Sequence, residues 1–354
     1  MGIFDSFKPR TPVMKVCMMG PRAVGKTTVL TAVFNETQQS IANTTLNLTS
    51  KGDTNAVLID KLHELASAFA ARNEINDNAD GRTSQANVGG IAASNVESSF
   101  YFGFGHIGKE PSIDLVIKDF PGEFVEHNEN AVINFIKESQ CIFVAIDTPH
   151  LMERNGEFNA IKNKPAQITR LFKKALEDIK AEKLVLLLPL KCEKYFHEQR
   201  MSEVMQKVQE SYSELITFFT KSMKVCCCIE PILTLGGVEF DDFSYNSDES
   251  VKISPDDKCP YKVKYKFTGE GKYAPLFCSQ PLYSLLLFVA AQYKRDSART
   301  GLLDRLKNML WKTFNSDESL IEDILKMNSN RIFDNPKLGY KTLCGGSLFN
   351  VKDN

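Results

Sequence analysis

Apolar residues in this chain occur in two alternating patterns: short continuous runs, and longer stretches where they return every three or four positions. A largely apolar stretch from Pro12 to Met19 enters a Gly-containing loop, after which Val29, Leu30, Ala32, Val33 and Phe34 take helical spacing. Strand, loop and helix are expected in that order. Leu58, Leu62, Leu65 and Phe69 share one face of a second helix predicted over 54–71. From Asn73 to Ser94 the chain is rich in Asn, Asp, Gly and Ser and has no period, so a long loop is expected, and loops of that length are usually functional. Strand-like runs at 96–104 and 112–118, separated by Gly105, His106, Gly108 and Pro111, predict an antiparallel hairpin.

Farther along, apolar strand candidates at 141–147, 184–189 and 225–235 alternate with helices expected at 130–138, 165–180, 198–221 and 281–293. Strands alternating with amphipathic helices imply an α/β fold of three layers, α/β/α, with a mostly parallel sheet, one antiparallel hairpin and right-handed crossovers. Residues 240–277 interrupt the alternation with Asp, Ser, Gly and Pro around a short alternating run at 261–267, which predicts a surface insertion carrying a hairpin. After Arg295, two C-terminal helices are expected at 301–314 and 317–327, followed by a Gly- and Asn-bearing tail. The expected organisation is one domain over 1–295 and a helical extension over 296–354.

Composition narrows the function classes. The 354 residues are 43% hydrophobic and 25% charged, and no apolar run reaches the roughly eighteen residues a membrane span requires. A formal net charge of -1 gives no long-range attraction to polyanions, so direct nucleic-acid binding is not expected. The nine cysteines form no metal-ligand pair, and Cys17 and Cys141 sit inside apolar runs, which suits buried free thiols in a reducing cytoplasm. No secretory signal precedes the first strand. Met1-Gly2-Ile3-Phe4-Asp5-Ser6 matches a myristoylation pattern and equally suits a short docking turn.

The strongest chemical signal is Gly20-Pro21-Arg22-Ala23-Val24-Gly25-Lys26-Thr27, a complete G-x-x-x-x-G-K-[ST] phosphate-binding loop. It leaves an apolar strand and opens a helix, as the chemistry requires. Glycines at the fixed positions let successive N–H groups converge on a β-phosphate at the positive end of the following helix. Lys26 is expected to bridge β- and γ-phosphates, Thr27 to coordinate magnesium (Mg²⁺), and Thr28 to contact the α-phosphate. Arg22 is a further candidate for phosphate contact.

A P-loop needs a carboxylate at the end of another strand to hold Mg²⁺, and Asp119 follows the mainly apolar run 113–117. It begins Asp119-Phe120-Pro121-Gly122-Glu123, a D-x-x-G pattern in which the Gly122 N–H senses the γ-phosphate and releases the following loop on hydrolysis. On these motifs, together with Lys191-Cys192-Glu193, the chain resembles the TRAFAC class of P-loop GTPases, and within it the double-GTPase clade of bacterial defence and conflict systems. The resemblance covers about 14–293 and rests mainly on the P-loop. It implies a P-loop NTPase fold and a GTP-dependent switch, with Glu123 where many GTPases carry a water-orienting Gln. A carboxylate beside the γ-phosphate implies slow intrinsic turnover, with a protein partner supplying an Arg. The first-switch Thr is expected in the long polar loop; Thr83 is the first choice, with Thr44, Thr45, Thr49 and Thr54 as alternatives.

After the apolar run 184–188, Pro189-Leu190-Lys191-Cys192-Glu193 stands where GTPases carry N/T-K-x-D. The Lys and an acid are kept, while Leu190 replaces Asn or Thr and Glu193 replaces Asp, so guanine recognition by Lys191 and Glu193 is weighed against adenine. Backbone groups of Thr234, Leu235 and Gly236 are further base-side candidates. The first reading is a nucleotide-hydrolysing switch that binds guanine nucleotide. The alternatives are a P-loop ATPase or phosphotransferase, and a noncatalytic module that uses bound nucleotide to hold a partner.

Overall fold

The computed structural model describes residues 11–76, 85–86, 98–120, 128–253, 263–269, 272–299 and 318–350. The strands, in chain order, are β1 (Val13–Met19), β2 (Leu46–Ser50), β3 (Gln85–Ala86), β4 (Ser98–His106), β5 (Ile113–Asp119), β6 (Cys141–Asp147), β7 (Lys183–Leu190), β8 (Val225–Ile229), β9 (Val238–Phe243), β10 (Val263–Phe267) and β11 (Lys341–Cys344). The longer helices are α1 (Lys26–Ile41), α2 (Thr54–Asn76), α3 (Glu129–Glu138), α4 (Pro165–Leu176), α5 (Met201–Ser211), α6 (Ser213–Thr220), α7 (Gln280–Arg299) and α8 (Glu318–Lys326).

Eight strands form one sheet in the order β11-β8-β7-β6-β1-β5-β4-β2. β5, β1, β6, β7 and β8 run parallel, and β4, β2 and β11 pair antiparallel at the flanks. Every residue of β6 and β7 is buried, because helices cover both faces and each side chain must be apolar whichever way it points. β5 instead alternates buried and half-buried, as a strand with one packed face does.

The period of two sorts the central strands into two cores. Val16, Met18, Phe143, Ala145, Leu184 and Leu186 face α1, α7 and α8, while Cys17, Met19, Ile142, Val144, Val185 and Leu187 face α3, α4 and α6. The result is the expected three-layer α/β/α fold. Lys183 sits at the C-terminal end of α3, where its ammonium donates to the carbonyls of Ile136, Lys137 and Ser139 that the helix leaves unpaired.

Several elements differ from expectation. β2 was not expected; it is a five-residue strand at the sheet edge. The helix expected over 198–221 is broken: Gln199 has φ 58° after a short helix at Glu193–His197, and Tyr212 leaves helical geometry between α5 and α6. The strand expected over 225–235 ends at Ile229, since Pro231 has no N–H to donate to a ladder, and only isolated bridges continue it. The expected boundary at 295/296 falls inside α7, and β11 pairs with β8, so the C-terminal segment completes the main sheet. The helix expected at 301–314 lies outside the described residues.

The hairpin expected within 240–277 is β9 paired with β10. It begins at Val238 and takes β3, from the long loop, as a third strand beside Tyr265 and Lys266. Phe240, Phe243 and Val251 pack with Phe158, and Val238 packs with Phe69 of α2, so this small sheet has its own apolar anchors.

Candidate functional site

After β1 the chain builds β2, β4 and β5 on one side of it and then crosses to β6 on the other, so β1 lies at a topological switch point of the kind where open α/β sheets place ligands. Residues at the C-terminal ends of β5, β1, β6 and β7 converge here, together with the turn that follows β8.

On the phosphate side, Gly20 lies against β6 so closely that a Cβ would sit 2.7 Å from the Ala145 carbonyl oxygen, which only glycine avoids. Gly25 has open space around it but takes φ 101° at the N-cap of α1, so there conformation demands glycine. No side chain caps α1, leaving its first-turn N–H groups directed at the loop. Val24 is buried in the core, so only its backbone faces the loop; Arg22 is half-buried and Thr28 is buried in the first helical turn.

Lys26 is 9% exposed and its ammonium donates to the carbonyls of Gly20 (3.4 Å) and Pro21 (3.3 Å), while lying 3.9 Å from Asp119 Oδ1. The Thr27 hydroxyl donates to Asp119 Oδ2 at 3.4 Å. The register pairs Met18 with Asp119, and Phe120 N–H continues the ladder to the Met18 carbonyl, which fixes the carboxylate beside the loop. Burial pushes the Asp119 carboxyl up to about 6, against the opposing pull of Lys26 and then Thr27. Asp119 Oδ1 is buried and has no hydrogen-bond partner among the described residues.

A buried carboxylate oxygen left unpaired beside a Thr hydroxyl and an ammonium fits a divalent cation, because oxygen donors suit Mg²⁺ and its charge would offset the desolvation. Thr27 and Asp119 are the residues that would hold it. Among the described residues no cluster of three His, Cys, Asp or Glu suits a metal ion.

Gly122, Glu123 and Thr83 lie outside the described residues. The alternative threonines are committed elsewhere. The Thr44 hydroxyl donates to Ile41, Thr45 to Asp323 and Thr49 to Gly103, and Thr54 accepts from the Tyr101 N–H. Register sets Leu46 opposite His106, at the end of β4 remote from Asp119, so Thr44 and Thr45 are at the wrong end of the sheet.

On the base side, Lys191 takes φ 60° just after β7, and its ammonium donates to Asp147 Oδ2 (2.8 Å) and to the Ala23 carbonyl of the P-loop (3.2 Å). The Tyr265 ring, from β10, lies with its centroid 5.8 Å from the same ammonium. Burial lowers the affinity of the lysine for its proton, but Asp147 and Tyr265 outweigh that and raise it. Asp147 is fully buried; burial pushes its carboxyl up, yet Lys191 and His150 hold it well below the usual range. His150 Nδ1 is hydrogen-bonded to Asp147 Oδ1 at 2.6 Å.

Glu193 is 3% exposed, and its Oε1 accepts from the N–H groups of Leu235 (2.9 Å) and Gly236 (3.3 Å); burial raises its carboxyl. The backbone groups expected to face a base are thus turned to Glu193. Leu190, at the Asn/Thr position of the GTPase motif, is wholly buried in the core.

Lys26, Thr27 and Asp119 therefore come together as expected, and Lys191 reaches the P-loop. Asp147, His150 and Tyr265 were not expected. The signal for Asp147 was a charge closing an apolar strand run, as Asp119 does; nothing local marks Tyr265.

No family model matches the chain, and no curated protein matches it. Similar solved structures include the Saccharomyces cerevisiae Ski7 GTPase-like domain bound to GTP, at 13% identity and a TM-score of 0.38 over 65% of this chain and 45% of that one. The same domain bound to GDP and inorganic phosphate matches at 13% identity and a TM-score of 0.31, over 69% and 47%. The chain thus spans less than half the length of these structures.

Proposed function

We propose that this chain is a Mg²⁺-dependent nucleoside triphosphatase, a switch that binds and slowly hydrolyses GTP. The observation supporting it is the convergence of Lys26, Thr27 and Asp119 at the switch point of the sheet, with Asp119 Oδ1 buried and without a hydrogen bond among the described residues. In this reading the N–H groups of the loop Gly20–Thr27 and the first turn of α1 hold the β-phosphate. Lys26 exchanges the carbonyls of Gly20 and Pro21 for phosphate oxygens, which as anions are the stronger acceptors. Thr27 and Asp119 would hold Mg²⁺, which would supply charge neutralisation to the phosphates.

Gly122 senses the γ-phosphate, Glu123 orients the attacking water and Thr83 serves the first switch. The carboxylate of Glu123 makes unaided turnover slow, and a protein partner accelerates it with an Arg. On this reading the switch serves a bacterial defence or signalling assembly in the cytoplasm, which the resemblance of its motifs to the double-GTPase clade supports.

A second reading, an adenine-nucleotide ATPase, is favoured by one observation: Glu193 Oε1 is already engaged by Leu235 and Gly236, and Leu190 offers no polar group to a base. Calorimetric titration with nonhydrolysable GTP and ATP analogues separates the two. GTP is expected to bind at least about tenfold more tightly, since hydrogen-bonded discrimination of a base is worth roughly 1–3 kcal/mol. Equal or tighter ATP binding supports the second reading. Lys26→Ala is expected to weaken either nucleotide by about 100-fold or more, as loss of a charge-assisted contact requires; unchanged affinity contradicts both.

A further inference from the structure

An ammonium carries three N–H donors and no acceptor. The Lys191 ammonium is held from three different parts of the chain: it donates to Asp147 Oδ2 at the end of β6 and to the Ala23 carbonyl in the P-loop, and the Tyr265 ring on β10 lies with its centroid 5.8 Å away. Two hydrogen bonds and the ring pin the ammonium, and the methylene stem is left to present a surface.

The anchor itself is anchored. The second oxygen of Asp147 takes His150 Nδ1 at 2.6 Å, and its backbone is bracketed by Asn163, whose Oδ1 accepts from Asp147 N–H (2.8 Å) and whose Nδ2 donates to the Asp147 carbonyl (3.1 Å). His150 stacks edge-on against Phe243 of β9, with ring centroids 5.3 Å apart. An ionised aspartate with no exposure is costly unless each oxygen is paired, and here each is. The network joins the P-loop to the small sheet, to which the long loop contributes β3.

We infer that Asp147 and Tyr265 are positioning residues for Lys191, and that by holding its stem flat beside the P-loop they set the affinity of the site for the purine base rather than for the phosphates. This rests on the nucleotide-binding reading. A Lys stem so held offers the base an apolar stacking face, and loosening it costs the base contact while leaving Lys26 and the loop amides intact.

The test compares binding of GTP with binding of inorganic triphosphate, which lacks a base, in Mg²⁺ buffer. Tyr265→Phe keeps the ring and removes the hydroxyl that favours the charged lysine; it is expected to weaken GTP by about fivefold, a polar contact of about 1 kcal/mol, and to leave triphosphate within about twofold. Asp147→Asn is expected to act the same way and more strongly, with circular dichroism confirming its fold; should it unfold, Tyr265→Phe decides. In a Lys191→Met background Tyr265→Phe is expected to add nothing, because residues acting through one group are not additive. Equal losses for GTP and triphosphate, an unchanged GTP affinity, or an additive effect without Lys191 would overturn the inference while nucleotide binding stands. Failure of the unaltered protein to bind either ligand would sink the nucleotide-binding reading and the inference together.

Discussion

The two halves of the site solve the problem of a buried aspartate in opposite ways. Asp119, beside the P-loop, has one oxygen without a hydrogen bond among the described residues, with the Lys26 ammonium 3.9 Å away, and a carboxyl pushed up to about 6 by burial. Asp147, on the base side, is buried more completely, yet Lys191 and His150 overcome that burial and hold its carboxyl well below the usual range. The difference teaches that the phosphate side is incomplete by itself, as a site that gains its stabilisation from a ligand would be. The base side is already satisfied and acts as scaffold.

The largest effect that sharpens this contrast is on Asp147. Removing one charge of a buried pair leaves the other uncompensated, so Asp147→Asn is expected to lower the free energy of unfolding by about 3–5 kcal/mol near neutral pH, measured by urea denaturation. A loss below about 1 kcal/mol would show that the base-side network does not stabilise the fold. Because this carboxyl is depressed in the folded state, its stabilisation is present above the unfolded value near pH 4 and is lost as pH falls through the folded value.

Asp119 carries the opposite sign. The unfolded chain releases this proton near pH 4 and the folded chain only near about 6, so the folded state binds more protons in that window and stability falls as pH rises through it. Above it the cost is constant, about 3 kcal/mol at 1.36 kcal/mol per unit. In metal-free buffer Asp119→Asn is therefore expected to be about 2–3 kcal/mol more stable than the parent at pH 7.5 and nearly equal to it at pH 4. A variant less stable at pH 7.5 would mean that Asp119 is structural, like Asp147.

The same division explains what was legible in the sequence. The phosphate side is written locally: Gly20 to Thr27 is contiguous, and Asp119 closes an apolar run, so spacing alone brought both to one place. β6 and β7, and β1 from Val16 onward, are buried on both faces, and largely apolar runs located the ends of these strands to within about a residue. β2 was missed because Leu46 and Leu48 are too short an alternation to register between two helices. β11 was missed because its four half-buried residues depend on a partner strand more than a hundred residues earlier. The base side was hidden for the same reason: Lys191 was legible as a motif remnant, but Asp147, His150 and Tyr265 reach it only through the packing of β6, β7 and the small sheet. A local pattern also gave no warning that Glu193 would turn to the backbone of Leu235 and Gly236.

The magnesium dependence of GTP-analogue affinity, measured in the parent and in Asp119→Asn, is the most direct test of the Thr27 and Asp119 pairing as a metal site. Mg²⁺ is expected to tighten binding to the parent by at least about tenfold, and to give the variant little or none of that gain, because a neutral amide does not offset the ion's charge. The same Mg²⁺ gain in both proteins would contradict it.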